Sequence, residues 1–598
     1  MSQQNKSAQR KLKRRARAEV ERARTLSQYM SDDSCNADDE STDQDEQLNS
    51  NNNEEHIIED PMDVGDNLVQ SDSTASGTSE ESDEDLFIFE EVIVANNPQL
   101  QDDEDREAYL LRALKEWAHR GVSLKKIDTL LSILNPIHPY LPLTHSALLG
   151  TPHCVDELPR MGMGKFWYKG LKKNLEQRLT EKYLNEFKRV VIDINIDGFE
   201  PFKSTHDSIW PILGRLRNQK EPFVIATYLG KGKPSDIIEY LADFVREARA
   251  LTANGIFMFS QNYQFEIRHY ILDAPARALV KCIIGHNGYF SCEKCEVEGV
   301  WVNGVMTFND LDAPMRTDIT FQNRCNVQHH TGDSPLESIP MTKMISSFRL
   351  DAMHLVYQGV MKRWMKFLMG SKKRRGLLNE QQVNDINNKI SELAQCVPRD
   401  FNRRPRQFEF RAKFHATEYR RILLYDGLWL FKDLNESLWK SFKLLQVPLY
   451  ILCSPTLVKK ENMLDVAQLL LRRFIEHSQR YISETFVSYN VHALSHLIEE
   501  CRENECTLDE LSAFPFENYI GVIKKLLRSG YKPLEQLVNR DVERGGYLME
   551  PQSEKQPNQV TLYHQHEDAD EIMDGRMYKK VVLSNTFLAV TNPIGNFL

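Results

Sequence analysis

Residues 188–198 read KRVVIDINIDG, an apolar run that closes on Asp-Gly. A short run rich in Val and Ile and ended by a turn signal predicts a buried strand over 188–196. Alternate residues of a strand point to opposite faces, so Asp193 and Asp197 share one face and the isoleucines between them form the other. The stretch therefore predicts a sheet strand that brings Asp197 to its end.

The segments that follow predict the rest of an α/β sheet. FVIATYL at 223–229 and FEIRHYIL at 265–272 have the composition of strands. Between them an amphipathic helix is predicted, with Asp236 and Glu239 placed as a capping box. The later strand runs into Asp273, and the proline two residues on suits the first turn of a helix. Strands that alternate with helices predict an α/β fold.

The net charge of −11 over 598 residues is unevenly distributed. Residues 1–30 carry about +7 and include KLKRRAR, which predicts a basic arm for nuclear import or DNA contact, with a solvated tail as the alternative. Residues 31–104 hold 25 carboxylates and no Lys or Arg, which predicts disorder. The remaining body is mildly basic, at about +7, and is compatible with a polyanionic partner.

Composition also excludes several classes of protein. There is no continuous apolar run of membrane length, and the first residues lack the apolar centre of a secretory signal. The ten cysteines show no regular framework, which favours a reducing compartment and makes any close cysteine pair a metal-site candidate.

Changes in pattern divide the chain into predicted regions. After the two N-terminal segments come a helical domain, the first part of the α/β core, a Cys/His segment, a helical insertion, a final core helix, and a tail with short strands. Their predicted boundaries are 105–185, 186–284, 285–345, 346–500, 501–545 and 546–598.

Three carboxylates stand at element ends where metal-dependent chemistry needs them. Nucleotidyl transfer by two divalent cations requires carboxylates that converge from different elements. Asp197 and Asp273 end predicted strands, and Glu517 lies in the first turn of a predicted late helix. The alternative is that the aspartates are ordinary turn or cap residues.

The helix of Glu517 also carries cations. At 100° per residue, Lys524 and Arg528 fall within about 20° of Glu517, which predicts a metal ligand flanked by DNA contacts. An ordinary amphipathic surface helix is the alternative.

Cysteines and histidines form a second constellation. Cys292 and Cys295 are a Cys-x2-Cys pair, and His329 and His330 follow, so two thiolates and one or two imidazoles predict a structural Zn²⁺ site. A reduced cysteine pair in a loop is the alternative, and Cys325 is a further nearby thiol.

Two other histidine patterns are ambiguous. Asp351 and His354 predict either an accessory pair beside the metals or a tie between a helix start and the sheet. His492 and His496 have ligand spacing on one helix face, but packing or hydrogen bonding is the favoured interpretation.

Five blocks, in order, resemble those of CACTA (En/Spm-like) DNA transposases. NIDGFEPFKSTHDSIWPILG and YILDAPARALV resemble the blocks of the first and second Asp, and GYFSCEKCEVEG with the later His-His resembles the Cys/His segment. LDAMHLVYQGVMK resembles the Asp-x-x-His block, and SAFPFENYIGVIKKLLRS resembles the block of the final Glu. The blocks span 195–214, 270–280, 288–299, 350–362 and 512–529.

The resemblance implies an RNase H-like core of α/β class, interrupted by a large helical insertion between the second Asp and the Glu. By position, it makes Asp197, Asp273 and Glu517 the catalytic triad for Mg²⁺ or Mn²⁺. Asp351 and His354 match the accessory pair, and the zinc ligands are Cys292, Cys295 and His329 or His330.

The function that follows from the resemblance is cleavage and joining of DNA in the nucleus. Synapsis of two transposon ends implies a homodimer or higher oligomer, with no membrane partner. Two alternatives stay open: a catalytically inactive, transposon-derived DNA-binding or scaffold protein, and a nuclease that acts on RNA–DNA hybrids.

Overall fold

The computed structural model describes residues 103–549 and three strands between 560 and 589; the gaps in the first range are at 120–121, 153–154, 156, 203, 205, 372–373, 399–400 and 402. Contacts divide the chain into two compact units, one of residues 1–39 and 111–550 and the other of residues 40–110 and 551–598. The predicted basic arm and nearly all of the predicted acidic segment lie outside the described residues. None of the described helices is long and apolar enough to cross a bilayer.

Eight strands of the first unit form one mixed sheet. Its order is β1-β2-β5-β4-β3-β7-β10, and β6 pairs with β7 outside this path. Strand β3 is antiparallel to β4 and parallel to β7, and β7 is parallel to β10. The strand bounds are β1 Arg160–Met161, β2 Gly164–Tyr168, β3 Arg189–Ile196, β4 Ser208–Leu216, β5 Phe223–Gly230, β6 Ile256–Met258, β7 Gln261–Leu272, β8 Val300–Val302, β9 Val305–Thr307 and β10 Phe348–Leu350.

Helices surround the sheet and fill the insertion. Before the insertion they are α1 Asp103–His119, α2 Leu124–Leu134, α3 His145–Leu149, α4 Leu171–Arg178, α5 Glu181–Phe187, α6 Ile237–Asn254, α7 Ala274–Lys281 and α8 Asp318–Gln322. A π-helix at Met353–Met361 then leads into α9 Lys362–Met369, α10 Glu380–Cys396, α11 Ala416–Arg421, a second π-helix Ile422–Asp426, α12 Gly427–Leu430, α13 Glu436–Cys453, α14 Glu461–Tyr481, α15 Tyr489–Ala493, α16 Leu497–Asn504, α17 Phe514–Leu526 and α18 Pro533–Met549. Short 3-10 helices lie at Val327–His329, Pro335–Ser338, Phe408–Lys413, Leu494–His496 and Leu508–Leu511, and a short hairpin pairs β11 Gly370–Ser371 with β12 Arg374–Arg375.

The two faces of the sheet have separate cores. On one face, Ile192 and Ile194 of β3 pack with Tyr240 and Phe244 of α6. The opposite face packs against α17 and α18, and this second core includes Leu213, Val224, Ile271, Phe516, Ile520 and Leu534. The late helix that carries Glu517 is therefore held against the strands that end at Asp197 and Asp273.

The insertion has a core of its own. Buried apolar residues from Leu350 to Leu508 form one cluster, with Trp364 and Phe442 fully buried near its centre. The described residues of 346–500 are mostly helical, apart from β10, which belongs to the sheet, and the β11–β12 hairpin.

Several strands were not predicted from the sequence, β4 and β2 among them. Strand β4 contains Pro211, which lacks a backbone donor, and Gly214, and both residues argue against a strand. The structure nevertheless pairs β4 with β3 and β5 at the centre of the sheet. The predicted helical domain at 105–185 also contains β2, which pairs with β5.

The described residues of the tail form a three-stranded antiparallel sheet of β13 Val560–Gln565, β14 Tyr578–Leu583 and β15 Thr586–Ala589. The sequence predicted short strands in this tail.

Candidate active site and metal centre

Three elements converge on a group of titratable side chains. Asp197 follows the last residue of β3, His354 lies in the π-helix that begins just after β10, and Glu517 lies in the first turn of α17. Each offers a ligand atom, and these atoms lie within 4.8 Å of one another. The group, called the carboxylate site below, is partly exposed: the side chain of Glu517 is 32% accessible and that of His354 is 26% accessible.

Asp351 fixes the position of His354. Its buried carboxylate accepts the backbone N–H groups of Met353 at 3.1 Å and His354 at 3.0 Å, and lies 2.5 Å from His354 Nδ1. It also accepts the N–H of Ala513 at 2.6 Å, just before α17 begins. One carboxylate thus fastens the starts of two helices, and His354 Nε2 lies 3.7 Å from Glu517 Oε1.

Asp273 lies at the margin of the carboxylate site. It is the N-cap of α7, and its Oδ1 accepts the N–H of Ala276 at 2.7 Å. It does not belong to the 4.8 Å group, but its charge acts on both Asp197 and His354. The charges of Asp273 and Glu517 therefore both act on Asp197, so the three carboxylates predicted from the sequence interact.

The carboxylate site is electrostatically strained. Burial, the charges of Asp273 and Glu517, and a hydrogen bond with Glu517 raise the pKa of Asp197 well above its usual value. Burial disfavours the charged form of His354, but the hydrogen bond and charge of Asp351, with the charges of Asp273 and Asp197, raise its pKa to about 10. An imidazolium therefore neutralises part of the negative charge, and the excess is the environment that a divalent cation stabilises.

Asp193, which shares a face of β3 with Asp197, has a structural role. It is fully buried and accepts from Arg268 at 2.7 and 2.9 Å and from Arg215 at 3.0 Å. Against the effect of burial, these two guanidinium groups lower the pKa of Asp193 below its usual value.

The second group contains Cys292, Cys295, His492 and His496, and all four are buried. It is called the Cys/His site below. The cysteines lie just before the β8–β9 hairpin, whereas the histidines lie in α15 and the 3-10 turn after it. The last helices of the insertion thus pack against the cysteine segment that precedes the insertion in the chain.

Distances within the Cys/His site match a metal tetrahedron. Cys292 Sγ lies 3.6 Å from Cys295 Sγ and 3.5 Å from His496 Nε2, Cys295 Sγ lies 3.2 Å from His492 Nε2, and the two Nε2 atoms are 3.3 Å apart. A tetrahedral zinc with its usual bond lengths to sulfur and nitrogen has ligand–ligand edges of roughly 3.3–3.8 Å. This Cys2His2 set could therefore bind a metal such as zinc.

Groups around the Cys/His site support ligand chemistry. Although burial opposes ionisation, the hydrogen bond from Cys295 and the charges of His496 and His492 lower the pKa of Cys292, so a thiolate is favoured there. The Nδ1 atom of His492 lies 3.2 Å from the carbonyl oxygen of Phe308, a contact that orients Nε2 toward the cysteines.

The two residues between the cysteines anchor the site to the core. Glu293 accepts from Arg277 of α7 at 2.6 Å and from Lys281 at 3.0 Å. Lys294 lies 2.5 Å from Glu500 of α16 and donates to the carbonyl of Phe348 of β10 at 2.8 Å. All of these side chains are buried, so the Cys/His site is linked to the helix that Asp273 caps.

No protein-family model matches this chain, and no curated protein matches it.

The candidate metal ligands of the Cys/His site differ in part from those predicted. Cys292 and Cys295 belong to the group, but His329 and His330 do not, and Cys325 is exposed. Instead, His329 Nδ1 lies 2.7 Å from the carbonyl oxygen of Phe290. His492 and His496 supply the imidazoles, in place of the packing role favoured from the sequence. Their four-residue spacing was the signal that could have found them.

Of the two predicted DNA-contact residues, one lies on α17 and the other lies beyond its end. Lys524 is exposed on α17, and its ammonium lies 5.3 Å from the centre of the Phe199 ring. Arg528 is exposed but lies beyond Leu526, where α17 ends, so the helical alignment of Arg528 with Glu517 is wrong.

Proposed function

We propose that this protein is a DNA transposase, or a domesticated derivative of one, that cleaves and joins phosphodiester bonds with divalent cations. The observation that carries the proposal is the convergence of Asp197, Glu517 and His354 from three distant parts of the chain, with Asp273 at the margin. The raised pKa of Asp197 supports a cation site, because carboxylates crowd there in excess of the nearby positive charge.

The sheet supports the RNase H-like core that the resemblance implies. Three antiparallel strands, β5-β4-β3, are followed by the parallel strands β7 and β10, and α6 connects β5 to the second half of the sheet. The large insertion, between β10 and α17, lies where the resemblance to CACTA transposases implies it.

Asp197, Asp273 and Glu517 would hold Mg²⁺ or Mn²⁺, which when bound activates an attacking oxygen and stabilises the leaving one. Because Oδ1 of Asp273 caps α7, Oδ2 is the oxygen that would serve as the ligand. Asp351 orients His354, whose Nε2 lies beside the carboxylate of Glu517. Lys524, one turn from the end of α17, is available to the DNA backbone.

The products follow from this chemistry. Hydrolysis of a phosphodiester leaves a 3′-hydroxyl, and attack by that hydroxyl on a second phosphodiester joins the strands. Catalysis would rest on positioning and charge neutralisation. The nuclear location and the homodimer or higher oligomer remain predictions that belong to this proposal.

The test is cleavage of duplex DNA by the purified protein with Mg²⁺ or Mn²⁺. Substrates are supercoiled plasmid and the genomic DNA that flanks the gene on both sides. We expect breaks with 3′-hydroxyl ends, and a loss of about 10³-fold or more in Asp197→Asn, Asp273→Asn and Glu517→Gln. Asp433→Asn, an exposed carboxylate change in the insertion, is the matched control.

Three outcomes would contradict the proposal. Equal cleavage by Asp273→Asn and the unsubstituted protein would overturn the mechanism. DNA binding without cleavage in any variant would favour the inactive DNA-binding or scaffold protein. A strong preference for an RNA–DNA hybrid substrate would favour a nuclease of the RNase H type.

A further inference from the structure

A cavity of about 290 Å³ lies away from the carboxylate site, between the N-terminal helices and the last two helices of the first unit. The end of α1 and the start of α2 form one wall, and the end of α17 with the middle of α18 forms the other. Its volume is at the lower limit of ligand-binding pockets. It is large enough for a phosphate group.

The polar side chains that line the cavity are mainly basic. They are His119, Lys525, Arg528, Arg540, Arg544 and the carboxylate Glu543. Glu543 is buried and already engaged: it accepts the hydroxyl of Thr151 and lies 2.7 Å from Arg540. Arg544 lies 3.1 Å from Glu221. The lining therefore contains four Lys and Arg residues and one carboxylate, that of Glu543.

The basic groups act on one another. Burial, followed by the charges of Arg544 and Arg540, lowers the pKa of His119 to about 4. Burial and the charge of Arg540 also lower the pKa of Arg528, and the charge of Glu543 acts in the opposite direction. Positive groups are thus crowded at this cavity, whereas carboxylates are crowded at the other end of α17. An anion in the cavity would relieve this repulsion.

We propose that this cavity binds one phosphate group of the DNA backbone, several nucleotides from the phosphate at the carboxylate site. The assignment to DNA rests on the proposed function, whereas the preference for a phosphate rests on the cavity. Glu517 and Lys525 are eight residues apart on α17, which is about 12 Å along the helix axis. Phosphates of one DNA strand advance by about 3.4 Å each along the duplex axis, so for a duplex that lies along α17 this distance corresponds to three or four nucleotides.

Such a contact would set the register of the strand. A phosphate held in the cavity cannot slide, so the phosphodiester three or four nucleotides away is kept at Asp197 and Glu517. Backbone contacts of this kind position nucleic acid without reading its sequence.

The test measures DNA binding in the full-length Glu517→Gln protein, which removes cleavage from the readout. Lys525→Gln with Arg528→Gln is the cavity variant. Lys172→Gln with Lys532→Gln is the control, because both lysines are exposed, carry the same charge and lie outside the cavity lining. Thermal unfolding of both double variants verifies that they fold.

We expect the cavity variant to lose about tenfold in duplex affinity and about one unit in the slope of log affinity against log salt, with the control nearly unchanged. Neutral methylphosphonates are then placed at single positions of the duplex. The parent protein should lose affinity at one defined position, and the cavity variant should be insensitive there. Arg528→Lys alone should retain most of the affinity.

Equal affinities and salt slopes for the cavity and control variants would overturn the proposal. Inorganic pyrophosphate provides the second arm. If pyrophosphate raises the melting temperature of the parent and not of the cavity variant while DNA affinity is equal, the site takes a free phosphate and the DNA assignment is overturned. Loss of DNA affinity in the cavity variant would support the phosphate contact even if the unsubstituted protein cleaves no DNA, so the two proposals fail separately.

Discussion

The carboxylate site and the Cys/His site are assembled in the same way and differ in their exposure. Each combines residues that are hundreds of positions apart in the sequence. The ligand candidates of the Cys/His site are almost inaccessible, from 1% for Cys292 to 7% for His496, whereas Glu517 and His354 of the carboxylate site reach solvent. Structural zinc sites are closed by four protein ligands, whereas catalytic metal sites keep positions open. Under the proposed function, the Cys/His site would hold the fold together and the carboxylate site would admit a substrate.

The largest expected effect concerns the Cys/His site, which is the closed site of the two. Cys292→Ser with Cys295→Ser should remove one zinc per chain and unfold much of the insertion, because a structural zinc contributes on the order of 10 kcal/mol to folding. Metal analysis and thermal unfolding measure this. Cys325→Ser with Cys396→Ser, both exposed, is the matched control. His329→Gln should keep its zinc, and a zinc-free His329→Gln protein would contradict the observed ligand set.

The ionic anchor of the closed site comes next. Burial opposes the charge of Glu293, but Arg277 and Lys281 hold its pKa well below the usual range. A lowered pKa in the folded protein stabilises it above the ordinary Glu pKa, and this contribution declines as the pH falls below about 4.5. Glu293→Gln should therefore lower the free energy of unfolding by about 3–5 kcal/mol at pH 7 and by less at pH 4.

Urea unfolding of Glu293→Gln and of Glu298→Gln at both pH values measures this difference. Glu298 is an exposed carboxylate five residues away, so its substitution controls for charge. Comparing the two variants at each pH also cancels the acid sensitivity of the zinc ligands. A difference that does not change with pH would contradict the ionic role of Glu293.

At the carboxylate site, which is the open site of the two, loss of the histidine should reduce cleavage less than loss of a carboxylate. His354→Gln removes the ring that lies between Asp351 and Glu517, and we expect cleavage to fall about 10- to 100-fold, as for other residues that orient metal ligands. His138→Gln is the control. Unchanged cleavage and unchanged Mg²⁺ dependence in His354→Gln would mean that the Asp351–His354 pair only joins a helix to the sheet.

The smallest expected effect is the thermal stabilisation of the protein by Mg²⁺. Mg²⁺ should raise the melting temperature of the unsubstituted protein by the equivalent of about 1–3 kcal/mol and leave that of Asp197→Asn unchanged. A short treatment with a chelator should reverse this shift without removing zinc from the Cys/His site. If both metals leave at the same rate, the contrast between an open and a closed site is wrong.

The sequence predicts local features of this molecule better than distant contacts. Strand β3, strand β7 and the Asp273 cap follow from runs of apolar residues and from a proline, which are signals within a few residues. Strand β4 was missed because Pro211 and Gly214 contradict local strand preference, and pairing on both sides overrides that preference.

The same limit explains why His492 and His496 were not assigned to the Cys/His site from the sequence. His329 follows Cys295 closely in the chain, whereas His492 follows it almost 200 residues later, and the spacing of His492 and His496 does not identify a partner. Only packing of the helical core brings α15 to the cysteines. Likewise, Arg528 was aligned with Glu517 on the assumption that α17 continues, but the helix ends at Leu526.

The position of α17 and α18 on the sheet has a consequence for synthesis of the chain. The sheet face that contains Leu213, Val224 and Ile271 is covered by helices that follow it by about 240 residues or more. At roughly 5–20 residues per second, a ribosome needs on the order of 10–50 s to supply that cover. During this interval the apolar residues of that sheet face would lack their cover, and exposed apolar surface of this kind is what makes folding chains prone to aggregation. Slow codons within the insertion would lengthen the exposure, and a faster stretch would shorten it.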